Sequence, residues 1–408
     1  MPIQGLSQAL ASRLDEMEQA GRLKGEETVI QGIVAPASGR GRRYLLEGEG
    51  EKPFLRMNSN NYLGLSFRPE ILAAEEEAVR KFGTGPGAVR FISGTWSPHP
   101  ALERRLAQFH GREAAMLFSS AYATLLGVLP PLVTDKTAVI SDELNHNCII
   151  NAIALARPAQ KYIYRHLDMV ALETSLVTAA KTCTRAIIVT DGIFSMRGDH
   201  APLDRIMELA RKYDAAFPEN AVVMVDDSHG VGAFGASGRG TEEYTKSGPV
   251  DILVATLGKA FGVNGGYVTG AETVIRYLRE TSPCYVYSNP ITPAEAAAAL
   301  RAVELAEGPV GLRLLTHLRA MTARFKAGLV KLGLETLPGE HPVVPLMLRD
   351  SARTAALVAH LRRHGILATG LNYPVVPKGE EEIRFQISAD HGPADVDEAL
   401  EALRSFGG

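Results

Sequence analysis

The chain has 408 residues, a length that suggests two or three domains with ample material for a hydrophobic core. Its formal net charge is −3, with 22% charged and 46% hydrophobic residues. These values exclude a disordered chain and the strong positive field on which sequence-independent nucleic-acid binding depends. Three widely spaced cysteines without a CxxC pair argue against a disulfide scaffold and against a structural zinc site.

The N-terminal segment shows apolar residues at helical spacing, which predicts an amphipathic helix over residues 4–21. Its simplest interpretation is a packing or dimer arm within an N-terminal segment covering residues 1–57. Acidic residues at positions 15, 16 and 18 argue against a secretory signal, and no apolar run approaches the roughly 18 residues of a membrane helix. We therefore expect a soluble, cytoplasmic protein with no membrane partner and no nucleic-acid partner.

From residue 58 onward, short apolar strands alternate with amphipathic helices. Helices are predicted at 69–82, 99–110 and 203–213, and strands at 114–118, 137–141, 186–191, 221–226 and 252–257. This alternation predicts an α/β fold whose mainly parallel sheet is covered by helices on both faces. We assign this large domain to residues 58–300. A smaller α/β pattern follows, and it predicts a C-terminal domain over residues 301–408.

The residues that follow three of these strands could carry chemistry, because ligands of open α/β sheets bind beyond the carboxyl ends of the strands. Small residues after 114–118 open a helix and offer an anion site. Asp226 ends one strand and is followed by His229, and Lys259 lies between glycines after the strand at 252–257. Pyridoxal phosphate (PLP) needs this combination of an anion site, an acid and a lysine. No metal motif is present at a sensible spacing, and we expect no metal.

Many segments resemble, in order, the motifs of one known family. They include NSNNYLGL (58–65), GAVRFISGT (87–95), SDELNHNCII (141–150), TDGIFSMRGD (190–199), VDDSHGVGAFGASGRG (225–240), TLGKAFG (256–262), YSNPITPA (287–294) and NYPVVPKGEEEIRFQISADH (372–391). On these motifs the chain resembles the α-oxoamine synthases over nearly its whole length. The resemblance implies the fold-type I fold of PLP-dependent transferases, with a mainly parallel, seven-stranded sheet and a small C-terminal α/β domain.

The resemblance implies roles around the ring and aldehyde of the cofactor. Lys259 matches the Schiff-base lysine of the family, which also acts as the base toward the amino acid Cα proton. Asp226 matches the acid that pairs with the pyridine nitrogen. His146 matches the imidazole that stacks on the ring, while His229 and Ser195 match groups near the phenolic oxygen.

Further matches concern the phosphate group and its surroundings. Ala121 and Tyr122 match backbone donors to the phosphate, and Thr256 matches a hydroxyl contact. Ser288 and Asn289 match phosphate contacts that come from the neighbouring subunit, so the resemblance implies a homodimer with its active site at the subunit interface.

Two matches concern the amino acid substrate, and one position departs from the pattern. Arg384 matches the arginine that holds the substrate carboxylate, which suits the bidentate geometry of a guanidinium. Asn61 is expected to make a second contact to that carboxylate. Arg197 stands where the family usually has an acid.

The implied reaction is condensation of a small amino acid, expected to be glycine, with an acyl-CoA, expected to be acetyl-CoA. GRLKGEETVI, VRFISGT and NYPVVPKG are most similar to the glycine C-acetyltransferase branch, whereas the length of AFGVNGG is closer to the 8-amino-7-oxononanoate synthase branch. A decarboxylating synthase that uses another amino acid and a longer acyl or carrier-protein thioester stays open. A fold-type I aminotransferase and a non-catalytic PLP-binding protein are the alternatives outside the family.

Overall fold

The computed structural model describes residues 3–19, 22–23, 25–373 and 375–406. The strands are β1 (Ile30–Val34), β2 (Arg43–Leu46), β3 (Pro53–Arg56), β4 (Ala114–Phe118), β5 (Thr137–Asp142), β6 (Gln160–Tyr164), β7 (Arg185–Asp191), β8 (Ala221–Asp226), β9 (Ile252–Thr256), β10 (Gly266–Gly270), β11 (Val343–Met347), β12 (Ile366–Leu367), β13 (Thr369–Leu371) and β14 (Glu382–Gln386). The helices are α1 (Gln4–Gln19), α2 (Pro69–Phe82), α3 (Pro98–His110), α4 (Ala121–Val128), α5 (Asn147–Ala156), α6 (Met169–Ala179), α7 (Leu203–Tyr213), α8 (Thr241–Thr245), α9 (Glu272–Thr281), α10 (Pro283–Val286), α11 (Pro293–Glu307), α12 (Pro309–Lys331), α13 (Ser351–Arg363) and α14 (Pro393–Phe406).

The central sheet has seven strands in the order β4-β10-β9-β8-β7-β5-β6. Strands β6, β5, β7, β8 and β9 are parallel, and β10 is antiparallel to both of its neighbours. This arrangement confirms the predicted mainly parallel sheet. Because β7, β8 and β9 run in the same direction, the residues that follow them meet at one edge.

Helices cover both faces of this sheet, as predicted. One buried cluster packs side chains of β5, β7 and β8 against α6 and α7, and a second packs the other face of the sheet against α4, α5 and α9. Strands buried on both faces carry continuous apolar runs, which is why residues 221–226 were recognisable as a strand. The helices predicted at 69–82 and 203–213 are confirmed at those bounds, and α3 begins one residue before its predicted start.

The C-terminal part forms a separate three-stranded antiparallel sheet in the order β11-β14-β13, with α13 packed beside it and α14 packed against α12 and α13. Near the N-terminus, β1, β2 and β3 form a further sheet, which β12 extends by pairing in parallel with β3. Strands of the N-terminal segment and of the C-terminal part therefore share a sheet. The boundaries at 57/58 and 300/301 stay predictions.

Helix α1 forms as predicted, although it ends at Gln19, and the last two predicted positions, 20 and 21, lie outside the described residues. All of its residues are exposed, including the apolar side chains Leu6, Leu10 and Leu14. Across the described ranges, no helix combines the length and the apolar character needed to cross a membrane.

Candidate active site

The predicted catalytic groups converge in a small pocket beyond the carboxyl ends of β7, β8 and β9. The pocket encloses about 340 Å³ including its open mouth. Its lining comprises Ala121, Tyr122, His146, Cys148, Asp191, Ile193, Ser195, Asp226, Ser228, His229 and Lys259. Seven of these eleven residues were singled out from the sequence. A larger cavity, of about 1860 Å³ including its open mouth, lies at the opposite edge of the sheet, away from these groups.

One wall of the pocket is the N-terminus of α4, which begins at Ala121. The side chain of Ser120 caps the helix by accepting a hydrogen bond from the Ala123 N–H at 3.1 Å. The first backbone N–H groups of a helix have no acceptor within it, so this end favours an anion. Gly266 brings β10 against this turn, because a Cβ there would lie 2.3 Å from the Ala121 nitrogen. Ala121 and Tyr122 thus line the pocket, and their contact with a phosphate stays a prediction.

Lys259 and Asp226 lie in the same pocket and influence one another. Burial lowers the pKa of Lys259 to about 8, and the nearby charges of Asp226 and Asp191 oppose this effect. Asp226 accepts hydrogen bonds on Oδ1 from the Ser228 backbone N–H at 3.1 Å and from its hydroxyl at 2.5 Å. These two donors fix the orientation of the Asp226 carboxylate, which in this position could accept a hydrogen bond from a heterocyclic N–H.

Two histidines complete the polar lining. His146 caps the N-terminus of α5, and its Nδ1 accepts a hydrogen bond from the Cys148 backbone N–H at 3.2 Å. Burial lowers the pKa of this imidazole. His229 is buried, its Nδ1 lies 2.7 Å from the Tyr62 hydroxyl, and burial lowers its pKa well below the ordinary value. Both rings are therefore neutral hydrogen-bonding groups at physiological pH.

Arg384 extends from β14 toward the pocket. Its Nη1 donates to the Ser195 carbonyl oxygen at 2.9 Å, and its positive charge adds to the lowering of the Lys259 pKa. Asn61 lies on a segment tied to the chain just beyond β14, since the Ser388 hydroxyl donates to the Asn61 carbonyl oxygen at 2.8 Å. The Asn61 side-chain oxygen is buried and has no hydrogen-bond partner among the described residues. A carboxylate could accept hydrogen bonds from the Arg384 guanidinium and from the Asn61 amide N–H, whereas the unpartnered Asn61 oxygen can only accept from a donor group of a ligand.

Five sequence-predicted residues are not among the lining residues, namely Asn61 and Arg384, described above, and Thr256, Ser288 and Asn289. Thr256 is the last residue of β9. Its hydroxyl donates a hydrogen bond to the Gly265 carbonyl oxygen at 3.0 Å, in the turn that follows the strand. Ser288 is half-buried and Asn289 is exposed, on the segment between α10 and α11. The single chain does not bring these two residues to Lys259.

Four lining residues were missed by sequence reasoning, namely Cys148, Asp191, Ile193 and Ser228. A signal for Asp191 was present, because it ends β7 in the way that Asp226 ends β8, and the two residues are register partners. The Cys148 thiol lies 2.9 Å from His146 Nδ1 and 3.6 Å from Asp226 Oδ2. No pattern in the sequence indicates this contact.

The donor set fits PLP. A lysine with a lowered pKa can hold the aldehyde, an ionised carboxylate can hold the pyridine nitrogen, and a helix N-terminus can hold the phosphate. The unpartnered amide oxygen of Asn61 leaves polar capacity for a further ligand. The groups present therefore match the three parts of this cofactor.

Comparisons with known proteins agree with this chemistry. The family model "Aminotransferase class I and II" matches residues 52–403. The chain is 39% identical to 8-amino-7-oxononanoate synthase of Thermosipho melanesiensis over 97% of both chains. It is also 39% identical to the human mitochondrial 2-amino-3-ketobutyrate coenzyme A ligase, over 95% of this chain and 92% of that protein. Serine palmitoyltransferase from S. paucimobilis with bound PLP superposes with a TM-score of 0.86 at 25% identity, over 100% of this chain and 97% of that one.

The chain therefore belongs to the aminotransferase class I and II family, and it has the fold-type I architecture of PLP-dependent transferases. Its relatives narrow the class further. It is an α-oxoamine synthase, a PLP-dependent acyltransferase, which confirms the resemblance seen in the motifs. Because the members of this group are enzymes, the alternative of a non-catalytic PLP-binding protein is not supported.

Proposed function

We propose that the protein condenses glycine with acetyl-CoA, releasing CoA and forming 2-amino-3-ketobutyrate. The observation that carries this proposal is the meeting of Lys259 and Asp226 in one pocket, with the Arg384 charge close enough to lower the pKa of Lys259. Similarity of the NYPVVPKG and VRFISGT segments to the glycine C-acetyltransferase branch supports the choice of substrates. The human relative named for 2-amino-3-ketobutyrate supports it further.

In this proposal each residue binds, orients or moves a proton. When bound, PLP supplies an aldehyde and an electron-accepting ring. Lys259 holds the aldehyde and, once free, takes the proton from the amino acid Cα, for which a pKa of about 8 suits a base at neutral pH. Asp226 keeps the ring nitrogen protonated, and His146 supports the ring face.

The remaining roles concern phosphate and substrate. The Ala121 and Tyr122 backbone N–H groups bind the phosphate. Arg384 and Asn61 hold the substrate carboxylate and so orient the Cα–H bond for proton removal. His229 and Ser195 contact the phenolic oxygen side of the ring.

The active enzyme is proposed to be a homodimer in which the partner subunit supplies Ser288 and Asn289 to the phosphate. Exposed apolar side chains support an interface, since Phe91 and Ile92 are each 67% exposed and Tyr287 is 82% exposed. The exposed apolar residues of α1 add to this surface. Thr256 is proposed to contact the phosphate from within the subunit, for which its O–H would turn from the Gly265 carbonyl oxygen to the phosphate.

A second candidate is an 8-amino-7-oxononanoate-type or other decarboxylating synthase, which would use another amino acid and a longer acyl thioester. The 39% identity to the Thermosipho melanesiensis enzyme favours it, as does the length of the glycine segment after Lys259.

A thiol-release assay on PLP-loaded protein separates the two. Glycine, alanine, serine and threonine are each combined with acetyl-CoA, longer acyl-CoA and dicarboxylic acyl-CoA, and the products are identified by mass. CoA release with glycine and acetyl-CoA is expected. Release only with alanine and a longer thioester would establish the second candidate, and amino-group transfer to pyruvate without thioester consumption would refute both.

A further inference from the structure

We propose that Asp191 is a positioning residue that sets the place of His146 through a hydrogen bond to its backbone. The inference rests on the proposed contact of His146 with the ring of the cofactor. Asp191 is the last residue of β7, and His146 is the residue that caps α5. Nothing in the motif comparison assigns Asp191 a role.

The contact belongs to a closed, buried arrangement of two side chains. Asp191 Oδ2 accepts a hydrogen bond from the His146 backbone N–H at 2.8 Å. In return, the Asp191 backbone N–H donates to Asn145 Oδ1 at 2.8 Å. Asn145 Nδ2 donates to the Val189 carbonyl oxygen at 2.9 Å and to the Ser141 hydroxyl at 2.8 Å. The turn before His146 is therefore hydrogen-bonded to both β7 and β5.

Because these hydrogen bonds are buried, breaking any one of them is costly, and the segment before His146 is held in one conformation. Asn145 and Asp191 are each only 4% exposed, so water cannot replace a lost partner without cost. His146 itself lines the pocket. The backbone of His146 is therefore held by buried groups while its ring stays free to meet a ligand.

The imidazole ring of His146 is held by a hydrogen bond from α5. Nδ1 accepts the Cys148 backbone N–H, and an imidazole nitrogen that accepts carries no proton. In the neutral ring, the proton must then lie on Nε2. The Asp191 bond holds the backbone and the Cys148 bond holds the ring, so together they set both the position and the tautomer of His146.

A direct electrostatic role is the competing explanation. The charged groups near Asp191 are Asp226, Lys259 and Asp142, and those near His146 are Asp226, Lys259 and Arg384. If Asp191 acted through its charge, an asparagine would fail as alanine does. If it acts as a hydrogen-bond acceptor, asparagine can keep the bond, because its amide oxygen accepts in the same place.

The test measures the PLP dissociation constant and the visible absorbance spectrum of the full-length holoenzyme. Asp191→Ala is expected to weaken PLP binding about tenfold, the effect of one lost buried hydrogen bond, and to shift the spectrum. Asp191→Asn is expected to stay within about twofold of the wild type. Asn145→Ala is expected to behave as Asp191→Ala does. The matched control is Asp251→Ala, because the Asp251 carboxylate also accepts a neighbouring-strand N–H, from Val223 at 2.7 Å, but at the opposite edge of the sheet.

A double-mutant cycle shows whether Asp191 acts through His146. In the His146→Ala background, Asp191→Ala is expected to change PLP affinity by less than about twofold. A further tenfold loss there, or an asparagine variant as weak as the alanine variant, would overturn the inference. If Asp191→Ala binds PLP as tightly as the wild type while His146→Ala binds it more weakly, the inference is overturned but the proposed site stands. Unchanged affinity in His146→Ala would instead refute the assigned role of His146, and the inference with it.

Discussion

His166 offers a test of the electrostatics beside the active site. Its Nδ1 lies 3.0 Å from Asp142 Oδ1, and its Nε2 lies 3.2 Å from Asp199 Oδ2. Burial alone would lower the pKa of this imidazole, but hydrogen bonds and attraction from the two carboxylates outweigh burial and raise it to about 9. Asp199 belongs to the loop that carries Ser195, so the ion pair also fastens a wall of the pocket.

The sign of the pH dependence follows from a raised pKa. Protonated His166 stabilises the fold fully below the ordinary histidine pKa of about 6.5, and this stabilisation is lost as the pH rises through about 9. The difference between the two pKa values corresponds to about 3 kcal/mol in the free energy of unfolding. The side chain is only 14% exposed, so solvent screening removes little of this value.

The assay is urea unfolding of wild type and His166→Asn between pH 6 and pH 10. The stability difference between them is expected to shrink by about 2 to 3 kcal/mol from pH 6.5 to pH 9. His110→Asn serves as the control, because burial lowers the pKa of His110 to about 3 and its contribution should be constant above pH 7.5. A stability difference for His166→Asn that is flat across the window would refute the ion-pair assignment.

Three further predictions concern the proposed roles. Lys259→Ala should lose the visible absorbance of bound PLP while keeping a wild-type circular dichroism spectrum, whereas Lys161→Ala, on the exposed edge strand β6, should keep both. Arg384→Ala should raise the KM for the amino acid by about tenfold or more with little change in the KM for acyl-CoA, and equal increases would contradict the carboxylate role. Mixing inactive Lys259→Ala and Asn289→Ala subunits should restore activity if Asn289 serves the partner's site, and no recovery would place Asn289 in its own subunit's site.

The parts of the sheet that could be predicted are those whose burial leaves a mark on the sequence. Strands β5, β7, β8 and β9 read as apolar runs because both of their faces are covered. Strand β6 was missed because it lies at the edge of the sheet and is mostly exposed, so QKYIY shows no apolar run. Strand β10 begins and ends with glycine, a residue that weakens strand propensity and hides its pairing with β4 and β9.

Some residues of the candidate site could likewise be predicted from the sequence, and others could not. Asp226 and Lys259 could be predicted because they follow buried strands, and the parallel sheet brings such positions to one edge. Cys148 could not, because its approach to Asp226 depends on how α5 packs across the strand ends. Asp191, like Asp226, is the last residue of a buried strand. Its proposed role of positioning His146 depends on a hydrogen bond to a backbone N–H, and such a bond leaves no pattern in the sequence.

Arg197, which departs from the family pattern, lies on the loop next to the site, and its charge is paired. Its Nε donates to Asp199 Oδ2 at 2.9 Å and its Nη1 donates to Glu380 Oε2 at 3.1 Å, so two carboxylates compensate its charge. Each such partly exposed pair contributes at most about 1 kcal/mol. The Glu380 bond nevertheless joins the loop to the chain just before β14, beside the bond from Arg384 to Ser195. The arginine thus fastens the loop to the strand that carries Arg384, which is compatible with the proposed carboxylate contact.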